Sequence, residues 1–325
     1  MRGKLTRKVI VLLLALAMVM IYMPALAFAE VKESDVAKIG DTGYQTLQGA
    51  FKAAGNNATI TLLKDVEECC ILNHSGRKTT LDLNGHSVTS KGEAFNIFGE
   101  TLVIDDTSGG KGEIITNRGI SLDGTHSNRA ELVLNNGTIR SNGNAITLNR
   151  VNEVTVNGGK IIAGRFCMET QLWGDEKETD ITINGGSLKA GSEVIYIEEE
   201  MYASVTVYGG KLEADGKIFN AYKLGSLVSV RVMNGFFIFK SSIGDVGVMA
   251  GGYCNKPVTQ KLEHSYKCVE TDESDANAGI DTTVYKYKIL SGNTTKITQT
   301  VAIKFESVKD AASTLYHRVA DKLQA

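Results

Sequence analysis

Six stretches of this chain spell the same phrase. From Val154 it reads VTVNGGKII; LDLNGHSV from Leu81, LVLNNGTI from Leu132, ITINGGSL from Ile181, VTVYGGKL from Val205 and VRVMNGFF from Val230 follow the same order of apolar, polar and small residues. A degenerate copy, LVIDD, starts at Leu102. The copies recur about every 25 residues, a drifting period that marks stacked repeats rather than one globular core.

The columns of the repeat say what kind of stack. After each strand comes a polar or large residue (Asn84, Asn135, Asn157, Asn184, Tyr208, Met233), then Gly or Asn (Gly85, Asn136, Gly158, Gly185, Gly209, Asn234). Gly and Asn tolerate left-handed backbone, so this second column is expected to be a fixed corner. A third column is Gly in every copy but that of His86, and the strand then resumes at Val88, Ile139, Ile161, Leu188, Leu212 and Phe237. A further strand follows another Gly-marked turn, as in Ala145 to Leu148, Val194 to Ile197 and Lys217 to Asn220. Short Val-, Ile- and Leu-rich strands with a corner in every repeat fit coils that pair in parallel with the next coil. Stacked corner asparagines are then placed to bond one another in a ladder. About eight coils at a spacing near 4.8 Å predict a rod of about 40 Å.

A leucine-rich repeat has a similar period, but its Leu and Asn spacing is absent. A β-sandwich also has many short strands, yet it does not need the same corner chemistry in every coil. Thirty-four glycines against two prolines agree with many tight turns and no Pro-rich linker.

The ends differ from the middle. Arg2, Lys4, Arg7 and Lys8 precede an apolar run from Val9 to Met23 and a small-residue stretch at Ala27-Phe28-Ala29, so residues 1–29 read as a secretory signal peptide. Residues 30–64 read as an N-terminal cap, with Leu47, Ala50, Phe51 and Ala54 on one face of a short helix. Residues 65–290 carry the solenoid. Residues 291–325 read as a linker strand and a C-terminal helix from about Ser307, with Val308, Ala311, Leu315, Val319 and Leu323 on one stripe. Such caps cover the backbone edges that a stack exposes.

The phrases IGDTGYQTLQGAFKAA, ATITLLKDV, TLDLNGH, LVIDDTSGGKGEI and the closing GGYC and SYKCV, in that order, resemble the secreted right-handed parallel β-helix proteins of Gram-positive bacteria, related in fold to pectate lyases. The resemblance implies an all-β, single-stranded right-handed parallel β-helix. It also implies a secreted or cell-surface, adhesin-like protein whose partner is an extracellular glycan or a host or cell-surface protein.

Charge narrows the partners. The formal net charge is −2, and removal of the basic leader makes the chain more acidic, which argues against nucleic acid. No second long apolar run predicts a membrane span after leader cleavage.

A calcium-dependent polysaccharide lyase needs clustered carboxylates and a base. Asp105 and Asp106 with Arg118 or Arg129 are the residues available, although Asp105 stands where other coils carry Asn and the DDTSGG phrase reads first as a turn. His86 sits in Gly85-His86-Ser87, where a turn histidine is the simpler reading. The most irregular coil, Arg165 to Asp180, holds the single tryptophan. Trp173 there suits stacking on a sugar, and Asp175 and Glu176 with Glu198 and Glu199 from the next coil suit calcium or a basic partner. Among the five cysteines, Cys254 and Cys268 are the best disulfide candidates, while Cys167 falls in the apolar column of Ile146 and Phe219 and so reads as an inward, inert thiol. The leading expectation is a non-enzymatic binding rod; the alternative is an enzyme acting on an acidic polysaccharide.

Overall fold

The computed structural model describes residues 31–171, 177–221, 227–258 and 266–291. The leader and the C-terminal helix expected from Ser307 lie outside these residues. The chain is a β-solenoid of about seven turns. Each full coil has three strands in order, here called the first, second and third faces.

Strict alternation drives the packing. On the first face, Leu102, Leu132, Val154, Ile181, Val205 and Val230 lie beside one another in parallel register, and so do Ile104, Leu134, Val156, Ile183, Val207 and Val232. All are buried in one core cluster. Burying each such side chain stabilises the fold by about 1.5–3 kcal/mol. The second face stacks Val88, Ile114, Ile139, Ile161, Leu188, Leu212 and Phe237, and the third stacks Ile120, Ile146, Met168, Ile195 and Phe219. The strand Ile146–Val156 runs from third face to first without a break, through Arg150 at φ 64. The first and third faces therefore form one 17-stranded sheet, and the second an 11-stranded one.

Three expectations about register need correction. In the first copy the register slips by two positions: Thr79, not Leu81, lies beside Leu102, and Asp82, not Asn84, lies beside Asp105. The reason is a longer corner at Asn84-Gly85, where both residues take positive φ. The second correction concerns the later corners. The left-handed residue is the third column, as at Gly186 (φ 82), and the second column keeps Gly for space: a Cβ on Gly158 would stand 2.5 Å from the Asn135 carbonyl oxygen of the preceding coil. Lastly, Met168 rather than Cys167 occupies the file of Ile146 and Phe219. Cys167 sits one position earlier, still fully buried, and burial pushes its thiol pKa up.

The asparagine ladder is present. Asn157 Nδ2 donates to Asn135 Oδ1 at 2.9 Å, and Asn184 Nδ2 to Asn157 Oδ1 at 2.8 Å. A second ladder runs at the second-to-third corner, where Asn142 donates to Asn117 at 2.7 Å and Asn117 to the Lys91 carbonyl at 3.0 Å.

Helix α1, Leu47–Ala53, caps the first coil, with Leu47, Ala50 and Phe51 buried. Thr46 Oγ1 accepts from Gly49 N, and the Glu68 carboxylate accepts from the amides of Leu47 and Gln48, so the free N–H groups of the helix start are bonded. The stack begins inside the segment read as cap, because Ala58–Leu62 already pairs in parallel with Lys78–Asp82. At the far end, Tyr266–Glu270 and Tyr287–Ser291 pair antiparallel and close the second face against Tyr253–Cys254. Helix α2, Glu273–Asn277, lies between them and starts with a capping box at Asp272. Cys254 and Cys268, the expected pair, stand on strands that flank Tyr287–Ser291 from opposite sides, and both are free thiols.

Candidate functional site

The outer surface of the third face holds the most developed side-chain constellation among the described residues. In Met168–Gln171, Met168 and Thr170 point inward and are fully buried, so Glu169 and Gln171 point outward. Glu169 is nevertheless only 5% exposed. Its carboxylate accepts from Gln171 Nε2 at 3.0 Å and from Asn144 Nδ2, and Arg165 lies 3.6 Å away. One coil on, Tyr196 lies beside Glu169 in register. The Tyr196 ring stacks on Phe166 with centroids 4.9 Å apart and planes 8° from parallel, and the Arg165 guanidinium lies 4.2 Å from the Phe166 centroid. Glu198 follows on the same strand edge, its amide bonded to Thr170 Oγ1 at 2.8 Å.

This surface combines an aromatic ring, a carboxylate held by amides, and a guanidinium. An aromatic face suits the C–H face of a sugar ring, and carboxylate and amide groups suit its hydroxyls. Three successive coils supply the parts, Asn144 from one, Arg165 to Gln171 from the next and Tyr196 from the one after, so the register of the solenoid sets the site's geometry.

The residues expected at this flank fall in different places. Trp173, Asp175 and Glu176 lie outside the described residues. Glu198 borders the constellation. Glu199 belongs to the turn beyond it, where Glu200 takes φ 65 and pairs with Lys177 at 3.2 Å. That turn, with Met201, Leu227 and Val228, lines a shallow cleft at the third-to-first edge. Glu169, Gln171, Arg165, Phe166, Tyr196 and Asn144 were not singled out from sequence. The alternation in Met168 to Gln171 and the irregularity of that coil are the signals that point to them.

The lyase constellation does not assemble. Asp106 is buried inside its own turn and accepts from the amides of Gly85 and Gly112, both at 2.8 Å, and from the Ser108 hydroxyl at 2.7 Å. Burial alone would raise its pKa, but these donors hold the carboxyl below its ordinary value. Asp105 accepts from the Asp106 amide. Arg118 lies at the other end of the second-face strands and faces Glu93 at 3.7 Å. Arg129 instead joins Glu178, Asp180 and Glu153 on the first face. His86 lies 3.6 Å from Asp65 at its corner. Among the described residues, no group of three or more His, Cys, Asp or Glu side chains is arranged to hold a metal ion.

Compared with known protein families, with curated proteins and with solved structures, the chain matches none.

Proposed function

We propose that this chain is an exported, non-enzymatic β-solenoid, of the pectate-lyase-related and adhesin-like kind, that binds an extracellular glycan on the outer surface of its third face. The observation that carries this reading is the outward yet buried Glu169, held by Asn144 and Gln171 and set beside the stacked ring of Tyr196. Surface carboxylates are ordinarily solvated, and one walled in by amides and an aromatic ring is pre-organised to accept hydroxyl hydrogens. Support also comes from the neighbouring segment, where Trp173 adds a second aromatic group by sequence, and irregular segments of a solenoid often mark its binding face.

A glycan array probed with the full-length exported protein tests the reading. Tyr196→Ala is expected to weaken a retained glycan about tenfold, the equivalent of about 1.4 kcal/mol of stacking. Glu169→Gln and Trp173→Ala are expected to weaken it as well. Binding that is indifferent to Tyr196 and Glu169 sinks the site, and release of unsaturated uronate from pectic substrates, followed by ultraviolet absorbance with and without calcium, replaces the binder with a lyase.

A further inference from the structure

The chain contains six Asn-Gly dipeptides, at Asn84, Asn136, Asn142, Asn157, Asn184 and Asn234, and the fold treats them unequally. An Asn-Gly bond is chemically fragile because the glycine nitrogen, unobstructed by a Cβ, can attack the asparagine Cγ. Whether it does depends on where that nitrogen and that side-chain amide are held.

At Asn157 and Asn184 both are tied down. Gly158 N and Gly185 N point at the carbonyls of Leu134 and Val156, each at 3.3 Å, and the two side chains are rungs of the ladder. Asn142 is locked likewise, its amide on Asn117 Oδ1 and Gly143 N on the Asn117 carbonyl at 3.1 Å. At Asn84 the side chain donates to the Leu62 carbonyl, and Gly85 N is taken by Asp106. Asn136 is intermediate: Gly137 N donates to the residue's own Oδ1 at 2.9 Å, but Nδ2 is anchored on the Asp106 carbonyl at 3.0 Å and Asn136 itself is half-buried.

Asn234 has neither restraint. It is exposed, Gly235 N donates to its own Oδ1 at 2.9 Å, and no described residue accepts from its Nδ2. That contact holds the glycine nitrogen against the oxygen bonded to Cγ. The ladder has ended here, since Tyr208 and Met233 occupy the column that Asn157 and Asn184 hold in earlier coils.

The geometry points to Asn234 as a site of spontaneous succinimide formation and conversion to aspartate and isoaspartate in the folded protein. Gly235 N bonds to Cγ while the Cγ–Nδ2 bond breaks. Nδ2 leaves as ammonia with the proton released by Gly235. Water then opens the succinimide at either carbonyl, adding hydroxide to carbon and a proton to nitrogen. No oxidant or cofactor is needed. The product places a carboxylate on the exposed corner beside Met233, and the isoaspartate form adds a methylene to the backbone of the last full corner.

The test ages full-length protein in mildly alkaline buffer made with heavy-oxygen water, then measures label and isoaspartate at each Asn-Gly peptide by mass spectrometry. Asn234 is expected to convert at least about tenfold faster than Asn157 or Asn184 while the protein is folded, and the difference is expected to vanish in denaturant, where near-attack geometry is lost. Asn157→Ala, which removes the acceptor of Asn184, is expected to speed conversion at Asn184, and Asn234→Gln to abolish the fastest-labelling site. An intact Asn234, or laddered asparagines converting as fast as Asn234 in folded protein, overturns the inference.

Discussion

The first-to-second corner and the third-to-first edge bound the same face and obey different rules. In the middle coils the corner is short and repeats its chemistry: Asn135, Asn157 and Asn184 bond along the axis, and the glycines after them leave no room for a Cβ over the coil beneath. The edge varies from coil to coil. It holds a buried ion pair at Arg77 and Glu100, an unbroken bend at Arg150, and the turn of Glu198 to Met201. A corner whose backbone is packed coil on coil cannot accept insertions, so variation, charge and the site border collect where the backbone is free to leave the stack.

The comparison breaks most sharply if the edge proves merely decorative in the early coils. Glu100 is fully buried, and it accepts from Arg77 Nε at 2.7 Å and from the His74 amide at 2.8 Å. Glu100→Ala leaves the Arg77 guanidinium buried without its counter-charge and is expected to cost about 3–5 kcal/mol in denaturant unfolding. A loss below about 1 kcal/mol would mean that solvent reaches this pair.

Next comes the corner glycine. Gly186→Ala forces an L-residue to φ 82 and sets its Cβ 2.7 Å from the Gly158 carbonyl oxygen, with an expected loss of about 3 kcal/mol. Gly55→Ala, in open space outside the corners, is the matched control and is expected to leave the midpoint almost unchanged.

A smaller effect sharpens the role of the ladder. Asn157→Ala removes one donor and one acceptor between neighbouring coils and is expected to cost about 1–2 kcal/mol by the same measurement. Asn157→Asp keeps the shape but sets two acceptors face to face on the Asn135 side, so it is expected to lose stability as well and to recover part of it in acid.

The smallest effect lies on the first face near the edge. Burial, reinforced by Glu131 and Asp180 and opposed by Arg129, raises the pKa of Glu153. The folded state therefore holds this proton more tightly than the unfolded chain. The increment is fully present below the unfolded value and is lost as pH rises through the raised one. Glu153→Gln is expected to flatten that part of the stability–pH curve and to stabilise slightly at neutral pH, read as unfolding midpoints between acid and neutral buffers.

The solenoid was legible because one phrase had to satisfy the same stacking constraint in every coil. Val154, Ile181 and Val205 could only be inward neighbours if the coils were in register, and they are. The first copy misled by two positions because LDLNGH satisfies the pattern in a frame its longer corner does not use. The corner glycines were recognised, but two causes were merged: positive φ acts at Gly186, and contact with the coil below acts at Gly158. The candidate site was half legible. Glu198 stood out as part of an acidic run, whereas Glu169 did not, since nothing in the local sequence says that Asn144 and Tyr196, each a coil away, will close around it. Arg165 and Phe166 precede Glu169 on its own coil, but Asn144 and Tyr196 reach it only because the coils before and after stack against it.

Glu169 and Tyr196 belong to successive windings joined only by lateral hydrogen bonds and packing. A ligand that grips both is a clasp across that seam. Under tension from the C-terminal side such a rod peels turn by turn, and a clasped seam is where peeling stalls, so occupancy is expected to register as a pause in a single-molecule pulling trace.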